Sequence, residues 1–157
     1  MKRYIYSLDV VPGAMPETAA DPAVQWAGSA GAVLRRFKAW NALLGTSGAL
    51  RVLAQMCKGR REAALLVWED KPAGYAVTTK GYCRHYIINK HDAVIGPVYV
   101  QKALRGQGLG RRLTADAVRR LSEQGWKRIW INTTEDNPGM LKIIARCGFK
   151  RACEKNA

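Results

Sequence analysis

Apolar and polar positions follow two rhythms along the chain, one strand-like and one helical, and their alternation lays out the elements. The stretch RYIYSLDVV (3–11) is rich in β-branched and aromatic residues and predicts a first strand. Residues 12–22 then hold three prolines and a glycine and predict a loop. From Gly31 the period changes: Val33, Phe37, Trp40 and Leu44 recur at helical spacing, with Arg35, Arg36 and Lys38 between them. GTSG (45–48) predicts a break, and a second helical run follows with Leu50, Leu53 and Met56 as its expected inner face.

Residues 62–70 and 71–81 read as two strands joined by a tight turn at Asp70-Lys71-Pro72. HYIIN (85–89) either extends the second strand or crosses irregularly. AVIGPVYV (93–100) reads as a buried strand with Pro97 inside it; proline cannot donate to a ladder, so an edge, a bulge or an opening of the sheet is expected there. A helix from about Gly108 to Gln124 places Leu109, Leu113, Ala117 and Leu121 on one face, with Gly125 at its end. KRIWINTT (127–134) is another strand. Asp136 or Asn137 then caps a helix starting at Pro138, Gly148 ends it, and Phe149 opens a last short strand. The order β-α-α-β-β-β-α-β-α-β, without repeats or linkers, predicts one α/β domain over residues 1–157.

Charge changes this picture more than composition does. The chain has 157 residues, 48% of them apolar, an ordinary globular balance, but its formal net charge is +14. Such a field favours anionic partners such as phosphorylated cofactors, nucleotide-linked substrates or nucleic acid. No acid occurs between Asp21 and Glu62, whereas Arg35, Arg36, Lys38, Arg51, Lys58, Arg60 and Arg61 do. This stretch is either a solvated helix face or a substrate wall. The four cysteines form no CxxC pair and no zinc-type spacing, so no metal is expected. Met1 to Val11 lacks the apolar core of a secretory signal, and no apolar run approaches the length that spans a bilayer. A cytoplasmic protein with reduced thiols and no membrane contact is expected.

The candidate chemistry lies in Arg105-Gly106-Gln107-Gly108-Leu109-Gly110. A strand ends near Val100, the chain turns, and a helix starts at once. Its first turn offers unpaired amides and the positive end of the helix dipole, and glycine lets an anion approach them closely. Arg105, Arg111 and Arg112 add charge within a turn, so the segment predicts a phosphate site. It is not a Walker loop, because no Gly-Lys-Ser/Thr triplet is present. The dinucleotide pattern also fails, since Arg111 follows Gly110 and the strand lies late in the chain.

Arg105-x-x-Gly108-x-Gly110 after PVYV resembles the acyl-CoA signature of GCN5-related N-acetyltransferases, the GNAT superfamily. The likeness continues to Asn137 and closes at Arg146-Cys147-Gly148-Phe149, so residues 93–150 form the resembling core. It implies a mixed central sheet with two splayed central strands flanked by helices. It also implies that acetyl-CoA is the cosubstrate and that the amides of Arg105, Gly106, Gln107, Gly108, Leu109, Gly110 and Arg111 hold its pyrophosphate. Main-chain groups of Val98 to Val100, through Tyr99, would pair with pantetheine, with the Val98 amide at the oxyanion. Asn137 would lie near the pantetheine arm as well as capping its helix. The segment 31–61 would supply the acceptor wall.

Three departures stand out. The family's acid tyrosine, seven positions after the asparagine, is Ile144 here; a thiolate can leave without strong acid help. The glutamate base that some members carry on the central strand is Val94, leaving Asp92 and His91 as base candidates, with Glu69, His85 and Tyr99 further afield. Asp92 is expected to share a face with 94, 96 and 98. The chain ends soon after Phe149, so either the usual last strand is lost or an edge is covered by a partner chain, which makes a homodimer plausible.

The resemblance implies transfer of an acetyl group to a primary amine, and the basic 31–61 segment leans toward a small anionic acceptor. Two alternatives stay open: a ribosomal-type protein N-terminal acetyltransferase, and a non-catalytic CoA-fold module that binds RNA or another anionic partner. The second is weakened because Phe37 and Trp40 fall on the expected buried face, where they cannot stack on bases.

Overall fold

A computed structural model describes residues 2–11 and 19–156; most of the expected loop 12–22 lies outside them. The elements in chain order are β1 (Lys2–Asp9), β2 (Val24–Ala27), α1 (Ala30–Arg35), α2 (Phe37–Met56), β3 (Arg61–Trp68), β4 (Lys71–Lys80), β5 (Asp92–Val100), α3 (Leu109–Glu123), β6 (Arg128–Thr134), α4 (Pro138–Arg146) and β7 (Lys150–Asn156). A single 3-10 turn, Lys102–Leu104, links β5 to the glycine segment.

The strands form one mixed sheet in the order β2-β3-β4-β5-β6-β1-β7. Alternation along β3 and β4 feeds both faces. Ala63, Leu65 and Val77 pack with Trp40, Ala49, Val52 and Met56 of α2 on one side. Ala64, Leu66 and Ala76 meet Leu109 and Leu113 of α3 on the other. A further cluster joins Ala93 and Ile95 of β5 and Ile129 and Ile131 of β6 to Ala117, Leu121 and Ile144. The expected face of α3 is buried, with Leu109, Leu113, Ala117 and Leu121 each at most 1% exposed.

The break expected at 45–48 is present: Gly45, at φ 70° and ψ 169°, interrupts α2 with a kink. Three other expectations need correction. The inner face beyond the kink is Ala49, Val52 and Met56 with Leu53 packed beside them, while Leu50 is 51% exposed. The β3–β4 turn is made by Glu69 and Asp70, both at positive φ, one position earlier than expected. The element order gains a four-residue strand, β2, which pairs with β3 at the sheet edge, while residues 85–89 take the irregular course of the two expected.

Among the described residues one strand, β7, follows α4, as expected where the usual last strand is lost. β1 lies between β6 and β7, antiparallel to both, with Tyr4 opposite Thr133 on one side and Glu154 on the other. The N-terminal strand thus stands inside the sheet, and β7 forms one edge.

Candidate active site

The opening predicted at Pro97 is present. β5 and β6 run parallel and pair only from Asp92–Arg128 to Ile95–Ile131, then separate. Beyond Ile95, β5 stays bound to β4, and β6 stays bound to β1 as far as Arg3–Thr134. Gly96 and Pro97 together oppose Val77, a bulge that shifts the β4–β5 register between Ala76 and Thr78.

The bulge also exchanges faces along β5. Ala93 and Ile95 point toward α3 and α4, and so do Val98 and Val100 after it, whereas Val94 points to the opposite face. Asp92 and Val98 therefore do not share a face, because the extra residue breaks the two-residue alternation.

Which way the β5 amides point follows from one bond. The Gln101 amide donates to the Ala73 carbonyl on the β4 side at 2.9 Å. Alternation along the strand then turns the Tyr99 amide toward β4, and the Val98 and Val100 main-chain groups toward the gap beside β6. The Arg105 Nε donates to the Val100 carbonyl at 3.2 Å from that outer side.

Past Val100 the chain enters the glycine segment, whose residues 105–108 are exposed. Gly106 and Gly108 adopt φ 86° and 79°, and a Cβ at either would meet no atom within 4 Å. Backbone conformation, not space, calls for glycine there. Gly110 serves another purpose: its Cβ would come 3.0 Å from Ile143 Cδ1, so it lets α4 approach α3. Among the described residues no backbone or side-chain acceptor takes the amides of 106–111, and the first of that turn's intrahelical bonds runs from Arg112 to Gly108.

The arginines near this turn divide. Arg105 folds back over the Tyr99 ring, 5.9 Å from its centroid. Arg112 points away into a two-pronged pair with Asp21, so it does not add charge to the turn as expected. Arg111 stays exposed.

On the other face of the sheet a cavity of about 860 Å³ extends from the β5–β6 gap to α2. Val94 and Gly96 to Val98 of β5 line it, with Asn132 to Thr134 of β6. Tyr75 and Thr79 of β4, Arg51 and Gln55 of α2, and the 82–85 loop close it. Asn137 and Met140 also border it. Asn137 Oδ1 accepts the Met140 amide at 3.1 Å, so its capping role is established, and the rest of its side chain stays at the rim. Burial pushes the Tyr75 phenol up, Tyr99 beside it adds to the effect, and Arg51 opposes it. Ile144, where the family's tyrosine would stand, is fully buried in the α3–α4 core.

The sequence matches the acetyltransferase (GNAT) family over residues 34–149. The chain belongs to that family. No curated protein matches it in sequence. GNAT structures share its fold: an acetyltransferase from Colwellia psychrerythraea superposes with a TM-score of 0.65 at 17% identity, covering 98% of this chain and 53% of that one. A GCN5-related N-acetyltransferase from Sphaerobacter thermophilus gives 0.63 at 15%, covering 98% and 49%. An aminoglycoside acetyltransferase from an uncultured soil metagenomic sample, in complex with sisomicin, gives 0.58 at 10%, covering 80% and 86%. The chain spans only 49–62% of the length of four such structures that it matches along nearly all of its own.

Within this GNAT fold the two base candidates are not brought to the cavity. Asp92 and His91 border a separate hollow at the far end of β5, with Asp9, Lys127 and Arg128. Asp92 is buried and accepts from the Trp130 Nε1 at 2.9 Å and the Asn89 amide at 3.2 Å, which ties the 81–91 loop to the sheet. Glu69 sits in the β3–β4 turn. His85 does line the cavity.

The residues the sequence did not single out are Tyr75, Asn132, Arg3 and residues 82–84 of the loop after β4. Alternation along β4 places Tyr75, Val77 and Thr79 on one face and was readable; the loop carries no periodic signal. Of the basic stretch 35–61, only Arg51 and Arg61 line the cavity, while Trp40 is buried and Phe37 packs beside it.

Proposed function

We propose that this GNAT chain transfers an acetyl group from acetyl-CoA directly to a primary amine. The observation that carries the reading is the β5–β6 gap, with the Val98 and Val100 main-chain groups turned into it and unpaired amides at the glycine turn beyond. Acetyl-CoA supplies an activated acyl group on a good leaving thiolate. Gly106, Gln107, Gly108, Leu109 and Gly110 hold its pyrophosphate at the α3 N-terminus, with Arg111 adding charge. Val98 and Val100 extend the ladder along the pantetheine arm past Tyr99, and Asn137 flanks it. The Val98 amide donates to the oxygen that gains charge as the amine attacks, an effect worth about 3 kcal/mol in other acyl transfers.

The acceptor enters from the α2 side, where the cavity lies. Its nitrogen bonds to the acetyl carbon, the carbon–sulfur bond breaks, CoA departs as thiolate and the amine proton passes to water. No carboxylate lines the cavity among the described residues, so a solvent-borne proton path fits the site better than a carboxylate base.

Release of free thiol from acetyl-CoA, dependent on both enzyme and amine, tests the reading. Thiol release with no amine that exceeds the enzyme-free rate would overturn it.

A further inference from the structure

Four arginines reach the cavity from four separate elements: Arg3 from β1, Arg51 from α2, Arg61 from the start of β3, and Arg84 from the loop after β4. No aspartate or glutamate lines that cavity among the described residues. None of the four arginines is in an ion pair among the described residues.

The arginines around α3 differ from these four in having acidic partners. Arg112 pairs with Asp21, Arg119 with Asp116 and Glu123, Arg120 with Glu62, and Arg128 with Asp9. The acids of α3 and its surroundings are placed against arginines, and the cavity arginines are left without them. Like charges gathered in a concave, partly desolvated space repel one another and focus a positive potential that an anion relieves.

Register gives the cluster depth. Arg61 lies opposite Thr79, and Thr79 opposite Val94, so all three fall in one row across the cavity floor. Arg3 lies opposite Thr134, on the far side of the β5–β6 gap. Arg51 comes from α2, on the side of the cavity that Tyr75 of β4 faces. Asn132 and Gln55 add neutral hydrogen-bonding groups.

We propose that the acceptor is an amine whose other end carries a phosphate or carboxylate, held by Arg51 and Arg61 with Arg3 and Arg84 at the rim. This deepens the transferase reading and rests on it. Guanidinium forks match the oxygens of either anion, and each such bond is stronger than a neutral one. An acceptor that anchors its anion between α2 and β3 directs its amine back along β5 toward Val98. A polyamine or aminoglycoside would meet four uncompensated positive charges.

The test compares acceptors of matched size by thiol release from acetyl-CoA. O-phosphoserine and glutamate are the anionic arms and separate phosphate from carboxylate recognition. Serinamide is the neutral arm and 1,4-diaminobutane the cationic one. At least one anionic amine is expected to exceed serinamide in kcat/KM by about 10-fold or more, with 1,4-diaminobutane lowest. R51Q and R61Q are each expected to narrow that gap, mainly through KM, while acetyl-CoA still raises the melting temperature. Equal or better use of serinamide or 1,4-diaminobutane overturns the proposal and leaves the transferase reading standing.

If no amine turns over, calorimetry on the CoA-saturated protein decides. Binding of O-phosphoserine or glutamate in preference to serinamide, lost in R51Q, supports the arginine site, and its absence overturns it. If acetyl-CoA itself fails to stabilise the protein, the transferase reading falls. The same calorimetry without CoA, read as the difference between wild type and R51Q, then still decides the arginine site.

Discussion

Arg112 on α3 grips Asp21 with two prongs, Nε to Oδ2 at 2.6 Å and Nη2 to Oδ1 at 2.7 Å, and so turns away from the glycine turn that its own helix begins. The pair fastens the 19–27 segment to α3, together with Asp116, which accepts from the Asp21 amide at 3.1 Å and Trp26 Nε1 at 2.7 Å. R112A is therefore expected to cost about 1 kcal/mol of stability, discounted for the partial exposure of the pair. R111A should weaken acetyl-CoA binding without that loss. Denaturant unfolding and acetyl-CoA titration of the two variants check the division of labour.

Acid should unfold the protein through two carboxylates. Asp21 is held below the ordinary range chiefly by the Arg112 hydrogen bond, against some burial. At Glu62 burial pushes the carboxyl up, but hydrogen bonds from Arg120, Gln124 and Lys80 together outweigh it and the net direction is down. A depressed native value means stability fully present above the unfolded value, about pH 4, and lost as pH falls through the native one. Thermal melts should be flat from neutral pH down to about 5 and then decline. E62Q should abolish part of that decline while lowering stability at neutral pH.

The glycines separate by cause. G108A and G106A place a side chain at positive φ and should each cost about 1–2 kcal/mol; acetyl-CoA affinity should fall with them. G74A is a packing defect instead, since its Cβ would lie 2.4 Å from the Tyr99 carbonyl and 3.2 Å from Val100 Cα. It should destabilise by about 1–3 kcal/mol and distort β5 beside Val98. Melting temperature and acetyl-CoA titration, measured on the same samples, distinguish the two classes.

D92N should keep acetylation activity and lose stability, because Asp92 accepts two hydrogen bonds remote from the cavity. H91A should leave both nearly unchanged. The rate should rise with pH along the ionisation of the acceptor amine, which the cavity arginines make easier by disfavouring a further positive charge. A kcat/KM profile that loses an acidic limb in D92N would contradict this.

The sequence made the donor side readable because its signals are local. Glycines at positive φ, a proline inside a strand, an Asn-Pro cap and the α3 stripe of Leu109, Leu113, Ala117 and Leu121 each act within a few residues. What stayed hidden depends on distant partners. β1 was legible as a strand, but nothing in residues 3–11 tells that it pairs with β6 and β7 at the other end of the chain. The face of Asp92 was misjudged because one bulge at Gly96-Pro97 reverses every later side chain. Arg3 and Arg84 meet Arg51 and Arg61 only once the sheet is assembled.

The central claim is that the β5–β6 gap and the glycine turn bind acetyl-CoA. A thermal melt with acetyl-CoA at about 100 times its dissociation constant should gain about 2.7 kcal/mol, a rise of roughly 5–10 °C for a chain of this size. An unchanged melting temperature at millimolar acetyl-CoA would contradict the account.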